Sequence, residues 1–303
     1  MVHTKESVKT GQYLNSKGYI LKIKLFGTHL KNRVLLASGV FGFGLKFKRV
    51  TNSVGAIFTK GITAQPRKGN PPPRIYETSS GMINWVGLEN PGVEYFCTNI
   101  IPQLKKLKTR IFVNIAGFTM DEYEHSVERI GDTVDGFELN ISCPNVKEGG
   151  IAFGQNAKMA SMVVARARKK TRLPLIVKLT PNFCDPLVIA KACVEAGADG
   201  ISLINTVYAT AYDIKKRKPL ITGGLSGPAI KPFALYCVNR VRNVGVPIIG
   251  MGGIVSGQDA YEFLLAGASA VAVGSVVLRD PYAPLRIIKE LKKFIYQETK
   301  HAR

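Results

Sequence analysis

Paired cysteines are missing from this sequence. None of its five cysteines, at 97, 143, 184, 193 and 237, forms a C-x-x-C pair or stands at zinc or iron–sulfur spacing. That excludes a disulfide framework and points to free thiols in a reducing compartment, with no metal expected. Long apolar runs are missing too, since nothing approaches the roughly 18 residues that span a bilayer. The opening stretch MVHTKESVKTGQYLNSKGYILKIKLFG has no apolar signal-peptide core. A soluble, cytoplasmic chain without a membrane segment is expected. No strand-linked G-x-G-x-x-G fingerprint and no low-complexity linker occur. Acidic residues are scarce: 21 Asp and Glu against 42 Lys and Arg give a net charge of +21. Such a surplus raises the question of a polyanionic partner. The basic residues are scattered, however, as KFKR (46–49), KKLKTR (105–110), RARKKTR (166–172), KKRK (215–218) and KELKK (289–293). Several fall near expected helix C-termini, where cations suit the helix dipole. There is no aromatic-basic RNA-binding motif. The scatter favours a solvated basic exterior over a nucleic-acid site.

What is present is an alternation of short apolar runs with amphipathic helical stretches. The runs are RVLLAS (33–38), GAIFTK (55–60), RIFVNIA (110–116), GFELNIS (136–142), LIVKLT (175–180), GISLIN (200–205), PIIGMG (247–252) and AVAVGS (270–275). They are apolar nearly throughout, as parallel strands covered on both faces should be. Eight strand–helix repeats predict a (β/α)₈ TIM barrel, with residues 1–303 as a single domain. Asp185-Pro186 predicts a capped helix start and Gly197 its end, and Asp280-Pro281 predicts the start of the last helix. Residues 19–32 predict a short hairpin closing the barrel bottom. Two connections, about 61–98 and 206–230, are too long for plain turns, and the second could hold a hairpin. Such loops emerge at the C-terminal mouth, where barrel active sites lie.

The strand ends carry Ser38, Lys60, Asn114, Asn140 with Cys143, Lys178, Asn205-Thr206, Gly252-Gly253 and Gly274-Ser275. Polar groups gathered at one mouth need partners, and a ligand rich in donors and acceptors would supply them. Gly252-Gly253 and Gly274-Ser275 leave backbone N–H groups open to a phosphate. The lysines suit an electron-rich ring, and the asparagines suit amide edges. Together these point to FMN beside a heterocyclic substrate, although a sugar-phosphate barrel could carry the same glycines. The thiol of Cys143, where a strand runs into the loop PNVKEGG, could take a substrate proton. A structural cysteine capping the strand is the other reading.

The segments LNISCPNVKEGGIAFG, GMINWVGLENPG, VNIAG, ITGGLSGPAIKP, IIGMGG and AGASAVAVGS together resemble class 1 dihydroorotate dehydrogenase, from about residue 20 to 295. The SCPNVKEGGIAFG form is similar to the 1B subgroup. The resemblance implies Cys143 as the base that takes the C5 proton of dihydroorotate, with Lys60 also catalytic. It implies FMN bound by Ser38, Lys60, Gly61, Asn114, Asn140, Lys178, Ile204, Gly227, Gly252, Gly253, Gly274 and Ser275. It implies substrate bound by Lys60, Asn84, Trp85, Val86, Gly87, Leu88, Asn140, Asn205 and Thr206. It implies a homodimeric core of a heterotetramer, with an FAD and iron–sulfur subunit passing electrons to NAD. Trp85 and Val86 stand where the family has smaller or different apolar residues, and Glu89 stands where glutamine is common. Two rival readings are a tRNA dihydrouridine synthase-like flavoenzyme and a non-catalytic flavin-binding subunit. The first has a Gly-Cys-Pro loop core, against SCPNV here. The complete set of site residues argues against the second.

Overall fold

A computed structural model describes residues 22–142 and 151–301. Fourteen strands are present among them: β1 (Ile23–Leu25), β2 (Thr28–Leu30), β3 (Val34–Leu36), β4 (Ala56–Phe58), β5 (Ile75–Thr78), β6 (Gly81–Asn84), β7 (Arg110–Ile115), β8 (Gly136–Asn140), β9 (Leu175–Lys178), β10 (Gly200–Leu203), β11 (Val207–Asp213), β12 (Lys218–Ser226), β13 (Ile248–Met251) and β14 (Ala270–Val273). Eight of them close into a parallel barrel in the order β3, β4, β7, β8, β9, β10, β13, β14. Each coincides with one of the eight apolar runs, so the expected (β/α)₈ barrel is the fold.

Alternation along each strand divides the apolar residues between two clusters, because successive side chains point to opposite faces. Val34, Ile57, Val113, Phe137, Leu139 and Val177 face outward onto the helices. Leu35, Phe58, Phe112, Ile176 and Ile249 fill the barrel interior. The β1–β2 hairpin closes the bottom as expected. Its Leu25 and Leu30 join the interior cluster, and the Phe26 ring meets Phe112 edge-on at 6.1 Å.

The helices start where side chains can cap them. Thr119 accepts from Glu122 N, Asn156 from Met159 N and Asp185 from Leu187 N, and Ser256 with Asp259 forms a capping box. The last helix, Ala283–His301, begins later than the sequence predicts. Asp280 instead caps a turn, its carboxylate accepting from Tyr282 N at 3.0 Å and its carbonyl from Ala283 N at 3.0 Å. Arg168, Lys169 and Lys170 sit in the last turn of helix Ala157–Lys170, as the dipole argument anticipates. Among the described residues, no helix is long and apolar enough to cross a membrane.

The second long connection holds a hairpin, as expected, and the two connections together build a sheet that sequence patterning did not reveal. The second holds the β11–β12 hairpin, with Lys215, Lys216 and Arg217 at its tip, and the first holds the β5–β6 hairpin. The two hairpins join through an antiparallel β12–β6 pairing, giving a sheet of order β11-β12-β6-β5. This sheet contributes one wall of the cavity described next.

Candidate active site

A cavity of about 290 Å³ lies at the C-terminal ends of the barrel strands. Every barrel strand delivers a residue to it. Ser38 follows β3, Lys60 and Gly61 follow β4, Asn114 lies on β7, Asn140 ends β8 and Lys178 ends β9. Ile204, Asn205 and Thr206 follow β10, Gly252 and Gly253 follow β13, and Gly274 and Ser275 follow β14. The two hairpins add Asn84, Val86, Gly87, Leu88, Glu89 and Gly227. All twelve positions implied for the cofactor therefore border one space.

Two of the implied residues stand apart. Trp85 does not line the cavity, although Asn84 and Val86 on either side of it do. Extended backbone turns alternate side chains to opposite faces, and the Trp85 N–H is tied to Arg74 O at 2.7 Å. Cys143 lies outside the described residues. Its neighbour Ser142 is fully buried and held by the asparagines of the site.

A connected polar network lies along the cavity floor. Asn114 Nδ2 donates to Glu138 Oε2 at 2.5 Å, and Ser202 Oγ donates to Glu138 Oε1 at 2.6 Å. Asn140 Nδ2 donates to Asn114 Oδ1 at 3.4 Å. Asn140 Oδ1 accepts from Ser142 Oγ at 2.9 Å and Ser142 N at 3.3 Å. Asn205 Nδ2 donates to Ser142 Oγ at 2.9 Å, and Asn205 Oδ1 accepts from Thr206 N at 2.8 Å. Tyr123 Oη donates to Asn140 O at 2.8 Å from behind the strand. Across the barrel, Lys178 Nζ donates to Ser38 Oγ at 3.0 Å. Sequence reading missed Glu138, whose only signal was a single acid inside the apolar run GFELNIS.

The opposite wall is ionic. Glu89 pairs with Lys60 Nζ at 3.3 Å and with Arg74 at 3.1 Å. Hydrogen bonding from Arg74, then from Lys60, holds the Glu89 carboxyl below its ordinary range. Glu89 is the position noted as differing from the common glutamine, and here it borders the cavity.

The glycine-lined end fits an anionic head group. At Gly253 (φ +79°) an added Cβ would lie 2.8 Å from Lys231 Cβ and 2.9 Å from Gly227 O, so only glycine fits. At Gly274 the nearest atom to an added Cβ is 3.9 Å away, so that backbone stands open to the cavity. A short 3₁₀ turn, Ser275–Leu278, begins directly after it. Val40, Met251, Ile254 and Leu278 add apolar walls that sequence reading did not single out, because such residues blend into core patterns. The arrangement suits a flat ring with polar edges joined to a phosphate. Among the described residues, no group of three His, Cys, Asp or Glu side chains could hold a metal ion.

Comparison with known proteins agrees with this architecture. The family model described as dihydroorotate dehydrogenase matches residues 20–295. The "Dihydroorotate dehydrogenase B (NAD(+)), catalytic subunit" of Alkaliphilus metalliredigens is 51% identical over 284 residues, covering 91% of this chain and 94% of that one. The protein of the same name from Geobacter sp. (strain M21) is 46% identical, covering 91% and 93%. A crystal structure of DHODH from Eimeria tenella in complex with ferulenol superposes with a TM-score of 0.80 at 26% identity, covering 92% of this chain and 85% of that one.

Proposed function

The chain belongs to the dihydroorotate dehydrogenase family, and on that premise we propose that it oxidises dihydroorotate to orotate in pyrimidine biosynthesis, with FMN as its cofactor. The observation that carries this reading is the convergence of all eight strand ends, through the residues named above, on one cavity.

FMN, when bound, supplies an acceptor at N5 for the hydride that leaves C6 of the substrate. The protein's part is binding, orientation and removal of the C5 proton. The backbone at Gly252, Gly253, Gly274 and Ser275 would hold the phosphate, with Gly227 beside it. Ser38, Gly61, Asn114, Lys178 and Ile204 would frame the ring. Lys60 and Lys178 bring positive charge to a site that must hold an anionic substrate and an electron-rich ring. Asn84, Asn140, Asn205, Thr206 and the backbone at Gly87 and Leu88 offer donors and acceptors matched to a carboxylate and two amide edges. Cys143 takes the C5 proton as its thiolate, so the C5–C6 double bond forms as the hydride departs. Its neighbour Ser142 is tied to Asn140 and Asn205, two of the residues that would meet the substrate amides.

The relatives' name, a NAD(+)-type catalytic subunit, supports a separate electron-transfer subunit. We place FAD and an iron–sulfur centre in that subunit, which links this chain to NAD. A homodimer of this chain forms the core of the heterotetramer, in the cytoplasm.

The test is anaerobic. The yellow protein should be bleached by dihydroorotate. Cys143→Ala should keep its FMN yet reduce it about 10²–10⁴ times more slowly, the usual worth of a positioned base. A protein without FMN, or one not bleached, would overturn the reading. Wild-type bleaching by Cys143→Ala would move the base elsewhere.

A further inference from the structure

Glu138 is fully buried inside the barrel, two residues before Asn140 on the same face of β8. It does not border the cavity. A buried carboxylate is energetically expensive unless its hydrogen bonds are complete, and an apolar side chain could fill the same space. Its two oxygens accept from two different strands, from Asn114 on β7 and Ser202 on β10.

A carboxylate can only accept, whereas an asparagine amide has a donor end and an acceptor end. Asn114 must therefore turn its NH₂ to Glu138, which leaves its oxygen for Asn140. Asn140 must turn its NH₂ to Asn114, which leaves its own oxygen for Ser142. The far end is fixed as well, because the Ser142 backbone N–H can only donate. With an acceptor-only group at one end and a donor-only group at the other, only one orientation of both amides satisfies every bond. Asn140 spends one of its two N–H hydrogens on Asn114, and its oxygen is committed to Ser142. What it offers a ligand is the second N–H.

We propose that Glu138 is a positioning residue whose carboxylate sets the orientation of Asn114 and Asn140, so that Asn140 meets an acceptor edge of the bound ligand. The proposal rests on reading the cavity as the FMN and dihydroorotate site.

Glu138→Gln tests it with almost no change of shape. Glutamine can face Asn114 with either end, so the orientation then rests only on the long far-end bonds to the Asn140 oxygen, from Ser142 N–H at 3.3 Å and Asn205 Nδ2 at 3.5 Å, and both amides can turn at the cost of those alone. The readouts are the melting temperature, the FMN dissociation constant and the orotate dissociation constant from the perturbed flavin spectrum. Glu138→Gln should fold and hold FMN but bind orotate about tenfold more weakly, the difference between a charge-assisted and a neutral hydrogen bond. Ser202→Ala removes the other donor to the same carboxylate without freeing Asn114, so its orotate affinity should stay within about twofold of wild type. Wild-type orotate affinity in Glu138→Gln overturns the proposal. So does equal weakening in both variants, which would mark a purely structural acid. Asn140→Leu keeps the size, deletes the donor and adds no charge to a site that takes an anion, and it decides the matter if Glu138→Gln does not fold. Lost orotate binding there supports the proposal, and unchanged binding overturns it. Wild-type protein that takes up neither FMN nor orotate would overturn the cavity reading and this proposal together, a result separable from all the others.

Discussion

Replacing Gly253 by alanine puts the glycine-lined end of the cavity to a quantitative test. An alanine at φ +79° carries the left-handed penalty, about 1–2 kcal/mol. Its methyl would also meet Lys231 Cβ at 2.8 Å and Gly227 O at 2.9 Å. Neither atom is the far end of a flexible side chain, so overpacking adds about 1–3 kcal/mol. The total destabilisation is about 2–5 kcal/mol. With an unfolding entropy of about 2.1 cal/mol/K per residue over 303 residues, the melting temperature should fall by about 3–8 °C. Relief by moving Lys231 would disturb its ion pairs to Asp259 at 2.6 Å and Glu262 at 3.0 Å, so the strain has no easy exit. Gly274→Ala is the contrasting variant. Its methyl has no protein atom closer than 3.9 Å and lies beside the cavity, so the loss should appear in FMN affinity instead of packing. Thermal unfolding with and without FMN, together with an FMN titration, measures both. A Gly253→Ala protein that melts within about 1 °C of wild type with unchanged FMN affinity would refute the steric reasoning.

Glu89→Gln should tighten orotate binding by about two- to fivefold, because an anionic ligand no longer competes with Glu89 for Lys60. Weaker binding would show that Glu89 helps the ligand instead. The same variant has a pH signature. Arg74, then Lys60, hold the Glu89 carboxyl below its ordinary value of 4.5, so its pairing contributes above pH 4.5 and is lost as pH falls through the lowered value. The melting-temperature difference between wild type and Glu89→Gln should therefore be small, and should vanish only in that acid range. The purified chain alone should reduce NAD negligibly, and robust NAD reduction without a second subunit would sink the partner assignment. Binding to duplex DNA or tRNA should weaken steeply between low and physiological salt, as for a diffuse basic exterior. Tight binding that survives salt and discriminates between RNAs would favour the tRNA-modifying reading.

The barrel was legible because parallel strands buried on both faces read as unbroken apolar runs. The residues that border the cavity were legible because those runs end in polar residues, and a barrel brings all strand ends to one rim. The sheet across the two long loops was not legible. Its β12–β6 pairing joins Gly224 to Asn84, far apart in sequence, and no local pattern encodes a partner at that distance. Trp85 was grouped with its neighbours because a motif names consecutive residues, whereas an extended chain sends alternate ones to opposite sides. The segment around Cys143 carried the chemical inference in the sequence, and it lies outside the described residues. The structure therefore speaks to that inference only through Ser142 and the asparagines that hold it.

The chemistry inside the barrel depends on packing outside it. On β8, Gly136, Glu138 and Asn140 face inward, while Phe137 and Leu139 are buried against the helices. Side chains alternate with a period of two, so a slip of one residue would drive Phe137 and Leu139 into the polar floor and expel Glu138 and Asn140 into an apolar layer. The apolar outer face thus holds the register that stacks a buried acid beneath a cavity-facing amide. Neighbouring strands are locked by the same logic: Asn114 pairs in register with Glu138, and Asn140 with Lys178. A site distributed over eight strands needs no long-range specification of its own. It follows once each strand buries its apolar residues on the correct side.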